Sequence, residues 1–164
     1  MIVHHAGETA PNDLCLEVTL DAPRAAVWRC WTEPRLLMEW YCPKPWRVES
    51  VDAEYKPGGR FNSVFAGPNG ERFENIGCLL AIDPGKELVF TDGYREGWAP
   101  AEKHFMTGYL RLADEDGAGT RMVWGARHAG ADDTKKHLEM GFVDGWRAAA
   151  AQLEELAKSI NRKQ

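Results

Sequence analysis

Polar residues set inside an apolar strand pattern mark where the chain could do chemistry. In Phe61-x-Ser63-x-Phe65 and Phe73-x-Asn75-x-Gly77, Ser63 and Asn75 alternate onto the same face as the aromatics. If that face is concave, both polar groups need partners, supplied by a ligand or by a neighbouring side chain. His128 ends the pattern Met122-x-Trp124-x-Ala126-x-His128. An imidazole there could act as acid or base near neutral pH, or serve as a hydrogen-bonded structural group at the strand end. No carboxylate lies close in sequence to orient it. The other histidines, His4, His5, His104 and His137, have no metal-ligand spacing such as H-E-x-x-H, so neither a metal nor a cofactor is expected. Glu87, Asp92, Arg95, Glu96 and Arg111 could meet at a pocket mouth, although solvated loop charges explain them as well. There is no G-x-S-x-G elbow, phosphate loop or Cys-His signature.

The aromatic content points to binding. The sequence contains seven tryptophans among 164 residues, and indole supplies large, flat surfaces suited to a pocket wall. Trp28 and Trp31 read as packing between short helices and a sheet. Trp40-Tyr41 with Cys42-Pro43-Lys44-Pro45-Trp46 reads as a proline-bounded lid or rim, with Trp98 facing it from the 92–102 connection.

The elements that must position these residues follow from periodicity. Residues 1–12 read as a loose lead-in, and 13–161 as one domain. Leu14 to Leu20 alternates as a strand, and Pro23 and Pro34 each open a short helix. Strands follow over 46–55, 60–65, 73–82, 87–91, 104–112 and 120–128, separated by turn signals such as Asn69-Gly70 and Asp83-Pro84-Gly85. Tight connections of this kind require an antiparallel meander. A single helix is expected from 132 or 133 to 160, capped by Asp133. Its stripe is Leu138, Phe142, Trp146, Ala149, Leu153, Leu156 and Ile160. Gly141 and Gly145 beside the aromatics suggest close backbone approach or free volume. The resulting fold class is α+β: a curved antiparallel sheet around a long C-terminal helix.

Bulk properties narrow the classes of partner. A net charge of −5 without basic runs argues against nucleic acid. The apolar stretches are far shorter than the roughly 20 residues that cross a bilayer, and no signal peptide is evident, so a cytoplasmic location is expected. Cys15, Cys30, Cys42 and Cys78 are widely spaced among apolar neighbours and read as free, mostly buried thiols. Exposed edge strands would allow two copies to pair as a homodimer.

Ala22-Pro23-x-x-x-Val27-Trp28, Trp31-Thr32-x-Pro34 and Trp40 resemble the opening of the START-like, helix-grip superfamily. The closest branch is the set related to the C-terminal domain of the activator of Hsp90 ATPase. Pro57-Gly58-Gly59-Arg60-Phe61, Asn69-Gly70, Gly77 with Leu79 and Ile82-x-Pro84 continue the likeness. So do Leu88-Val89-Phe90-Thr91, Gly119-Thr120-Arg121 and Gly145-Trp146, and together these pieces span about 14 to 160. The resemblance implies a β-α-α-β6-α fold with a cavity between sheet and helix. Members of the superfamily include ligand carriers and polyketide cyclases. A chain of 164 residues has no room for the separate N-terminal domain with which the eukaryotic activator binds Hsp90, so the branch name is expected to describe ancestry more than activity.

The leading expectation is an apolar or aromatic small-molecule ligand held by a wall of Trp46, Phe61, Ser63, Phe65, Phe73, Asn75, Phe90, Met106, Trp124, Phe142 and Trp146. The alternatives are a cyclase or hydrolase of aromatic substrates using His128, and an Hsp90-interacting module.

Overall fold

The computed structural model describes residues 2–6 and 11–163. Within the expected lead-in, Ile2–Ala6 forms strand β1, antiparallel to β2 (Asp13–Leu20), with Ile2 opposite Val18 and Ala6 opposite Leu14. The backbone groups on that edge of β2 find partners in β1. The rest of the lead-in, residues 1 and 7–10, lies outside the described residues.

After β2 come two short helices, α1 (Arg24–Thr32) and α2 (Pro34–Trp40). Pro23 caps α1 in an extended conformation rather than entering the helix. Glu33 is extended because it precedes Pro34, and this separates the two helices; Pro34 occupies the first turn of α2. The strands β3 (Arg47–Ala53), β4 (Phe61–Ala66), β5 (Arg72–Asn75), β6 (Cys78–Asp83) and β7 (Glu87–Thr91) follow. A small hairpin, β8 (Tyr94–Arg95) with β9 (Ala99–Pro100), leads to β10 (Thr107–Glu115) and β11 (Gly119–Arg127). The chain ends in α3 (Ala131–Glu139) and α4 (Phe142–Arg162). No described helix is long and apolar enough to cross a membrane.

Two departures from the expected elements matter. The strand expected over 73–82 is two strands in two sheets. β5 pairs with β4 in the sheet β3-β4-β5, and β6 pairs with β7 in the sheet β1-β2-β11-β10-β7-β6. The crossing falls at Gly77, where a Cβ would sit 2.7 Å from the Thr91 carbonyl oxygen and 3.3 Å from that of Phe61. The two sheets are stitched there by Gly58 N–H to Leu79 O (2.8 Å), Leu79 N–H to Gly59 O (2.9 Å) and Phe61 N–H to Gly77 O (3.0 Å).

The expected single C-terminal helix is broken. Gly141 lies at φ +89°, ending α3 and opening α4, and nothing lies within 4 Å of where its Cβ would be. The glycine therefore provides a left-handed backbone position, with open space rather than close packing where its Cβ would be. Gly145 is likewise uncrowded, with only Pro43 Cγ nearby at 3.9 Å. Gly130, rather than Asp133, is the N-cap of α3, and Asp132 and Asp133 lie in its first turn, where carboxylates favour the helix dipole.

The core lies between α4 with α1 and α2 on one side and the inner sheet face on the other. Leu16, Leu20, Leu88, Leu110, Met122 and Leu153 are almost fully buried in it.

Candidate functional site

The interior is organised around Trp31. Val27, Cys30 and Trp31 form the buried side of α1, and the Trp31 ring meets Trp40 at 4.7 Å, Trp124 at 5.3 Å and Tyr41 at 5.6 Å. Trp40 is fully buried and its Nε1–H donates to Cys30 O (2.9 Å), so it belongs to the core and not to a lid. Tyr41 is half-buried and its ring also meets Phe65 at 5.8 Å and Phe61 at 6.2 Å. Burial pushes its phenol pKa upward, so it stays a neutral hydroxyl. Phe61 in turn meets Phe90 at 4.9 Å. On the helix side, Trp146 stacks on Trp124 at 4.1 Å and touches Phe142 at 4.4 Å.

This cluster contains an imbalance in hydrogen bonding. Among the described residues, the indole nitrogens of Trp31 and Trp124 are buried without a hydrogen-bond partner. Leaving such a donor unpaired costs about 1–3 kcal/mol. The edge-to-face ring contacts return only part of that.

The sequence-chosen wall residues divide between interior and mouth. Phe61, Phe90, Trp124 and Phe142 are buried, and Phe65, Met106 and Trp146 are half-buried. Ser63 is buried, and Asn75 Nδ2 reaches its Oγ at 3.4 Å, so a neighbouring side chain meets Ser63. The register pairs Ser63 with Asn75 and Phe65 with Phe73, which places all four on one face as expected. Phe73 is nevertheless 62% exposed and Asn75 is exposed, because β5 is the outer strand of the small sheet. Phe73 packs on half-buried Trp46 at 5.9 Å, and this pair forms a rim rather than an inner wall. Trp98 is not opposite that rim. It covers Gly58, whose Cβ would lie 2.8 Å from the indole nitrogen, and it meets Tyr94.

His128 is held on both ring nitrogens. Nδ1 lies 3.1 Å from Asn12 O, and Nε2 lies 2.9 Å from Nδ1 of His137. Spacing did not single out His137, yet it is buried and boxed by Phe142 at 5.0 Å, Phe105 at 5.2 Å and Trp146 at 5.7 Å. Burial, with the neighbouring His128, lowers its pKa to about 4. The charged residues that could have met at a mouth are dispersed, in keeping with solvated loop charges. Arg111 pairs with Glu87 (3.1 Å), Asp92 accepts from the backbone of Phe105 and Met106, and Glu96 lies 3.5 Å from Arg60. A separate groove of about 410 Å³ lies outside the cluster between α2 and α4, bordered by Glu39, Lys44, Gln152 and Glu155.

A curved antiparallel framework closed by a C-terminal helix over an aromatic interior is the helix-grip arrangement of START-like proteins. Residues 21–158 match the family described as activator of Hsp90 ATPase homolog 1-like protein, and the chain belongs to that family. The solved structure of protein NE0264 from Nitrosomonas europaea is 38% identical, with a TM-score of 0.88 over 92% of this chain and 96% of that one. Protein Ms6760 from Mycobacterium smegmatis shares the fold at 24% identity, with a TM-score of 0.79 over 95% and 96% of the two chains. CalU16 from Micromonospora echinospora does so at 19% identity, with a TM-score of 0.62 over 99% and 90%. No curated protein matches the sequence.

Proposed function

We propose that the protein binds one neutral, aromatic or largely apolar small molecule between the inner sheet face and α4, without transforming it. The observation that carries this reading is the cluster around Trp31, Tyr41, Trp124 and Trp146, in which two indole donors have no partner among the described residues. Such a surface suits flat apolar ligands, and the few polar groups in it would orient them. Catalysis by His128 is disfavoured, since both its nitrogens are engaged by Asn12 and His137.

The test is titration with N-phenyl-1-naphthylamine, a neutral aromatic fluorophore. Saturable one-to-one binding is expected, weakened at least about tenfold in Trp146→Ala, because that change removes the ring stacked on Trp124. Non-saturable uptake, or unchanged affinity in the variant, would reject the reading. Native mass spectrometry of freshly purified protein would complement it by revealing an adduct carried through purification.

A further inference from the structure

The histidine pair extends this reading to the chemistry of the ligand, and the inference rests on the binding proposal above. Asn12 O is a carbonyl and can only accept, so Nδ1 of His128 carries the hydrogen. In the neutral ring Nε2 of His128 is then a lone pair, and it must receive its 2.9 Å hydrogen bond from Nδ1–H of His137. This order of donors fixes the second tautomer as well. Nε2 of His137 is left as an acceptor with no hydrogen bond shown among the described residues, on a side chain 7% exposed. Unlike the Trp31 and Trp124 indoles, this nitrogen is not shut off from its surroundings and stays reachable. The ring stands among Phe105, Phe142 and Trp146, and Trp146 joins this box to the main aromatic cluster through its stack on Trp124.

We infer that Nε2 of His137 accepts a hydrogen bond from a hydroxyl of the bound molecule, so that the ligand is a phenol or a comparable aromatic alcohol. The anchor is rigid. Asn12 O also accepts the His128 backbone N–H at 2.9 Å, and Asn12 Oδ1 lies 3.4 Å from Thr134 Oγ1, which ties β2, β11 and α3 together at the pair. A phenol, unlike an anion, brings a donor without requiring a buried counter-charge.

Two probes of nearly equal shape separate the possibilities: 2-naphthol carries the hydroxyl, and 2-methylnaphthalene replaces it with a methyl group. Apolar transfer alone favours the methyl compound, so preference for the naphthol can come only from a polar contact. The expected result is about tenfold tighter binding of 2-naphthol by the wild-type protein, followed through the tryptophan indole N–H resonances. In His137→Phe, which keeps a ring but loses the acceptor, the preference should fall below about twofold. Equal affinities in the wild type, or a preference that survives in the variant, overturns the hydroxyl assignment while leaving the binding site standing. Binding of neither probe overturns the binding proposal itself. Should His137→Phe fail to fold, nitrogen-15 histidine spectra of the wild type decide the matter. His137 Nε2 should resonate as an unprotonated nitrogen and move on adding 2-naphthol, and an unmoved signal overturns the inference.

Discussion

Gly108 lies on the inner face of β10 directly under Phe90, its partner across β7. A Cβ there would come within 2.3 Å of the phenyl ring. Gly108→Ala must therefore push Phe90 off its seat. A loss of about 1–3 kcal/mol is expected, read as a lower urea midpoint with unchanged slope. His137 makes a second residue-scale prediction. Its folded pKa of about 4 lies below the ordinary 6.5, so as pH falls the unfolded chain takes up the proton first. Stability should be level above about 6.5 and fall progressively towards about 4. The loss attributable to this group is about 2–3 kcal/mol. Urea unfolding across that window should give a flatter profile for His137→Gln than for the wild type, and parallel profiles would show that the group does not govern acid sensitivity. Lys136, whose ammonium lies over the Phe105 ring, and Asn12 and Thr134, linked through the Asn12 side chain, also border the pair.

Among the elements, the break at Gly141 decides which side chains reach the interior. On one uninterrupted helix Leu138 would stand a turn before Phe142 on the same stripe. With the break, α3 takes its own direction, so Leu138 is 42% exposed while its neighbour His137 is buried. This explains why the helical period correctly placed Phe142, Ala149 and Leu153 but not the turn before them. Gly141→Ala forces a side chain into a left-handed conformation and should cost about 1–2 kcal/mol, measured by thermal or urea unfolding. It should also move the His137 resonances, since α3 would be redirected. The strands were easier to read. Asn69-Gly70 and Asp83-Pro84-Gly85 announced their turns, and alternation located β2, β4, β7, β10 and β11 to within a few residues. The division at Gly77 was hidden because alternation runs through it. Only the closeness of two other backbones shows why the chain changes sheets there.

At the scale of the whole molecule, the family pattern and the two periodicities made the helix-grip architecture legible, together with the inward placement of Phe61, Phe90, Trp124, Phe142 and Trp146. Trp31 was legible as packing between helix and sheet, but its place at the centre of the ring cluster, Tyr41 pointing inward and His137 bonded to His128 were not, because each depends on elements distant in sequence meeting in space. These long-range meetings lead to the final prediction. A ligand seated among α1, α2, β11 and α4 binds only the assembled fold, so it must raise the unfolding temperature. At a hundredfold excess over its dissociation constant, 2-naphthol should add about 2.7 kcal/mol of stability. For a domain of this length that corresponds to a rise of about 5–10 °C in Tm, growing with the logarithm of ligand concentration. Trp146→Ala should shift the whole curve to higher ligand concentration, since weaker binding delays the same rise. A wild-type Tm unmoved by saturating naphthol would mean that the aromatic interior serves packing alone, and its two unpaired indoles would then be a cost borne by the core.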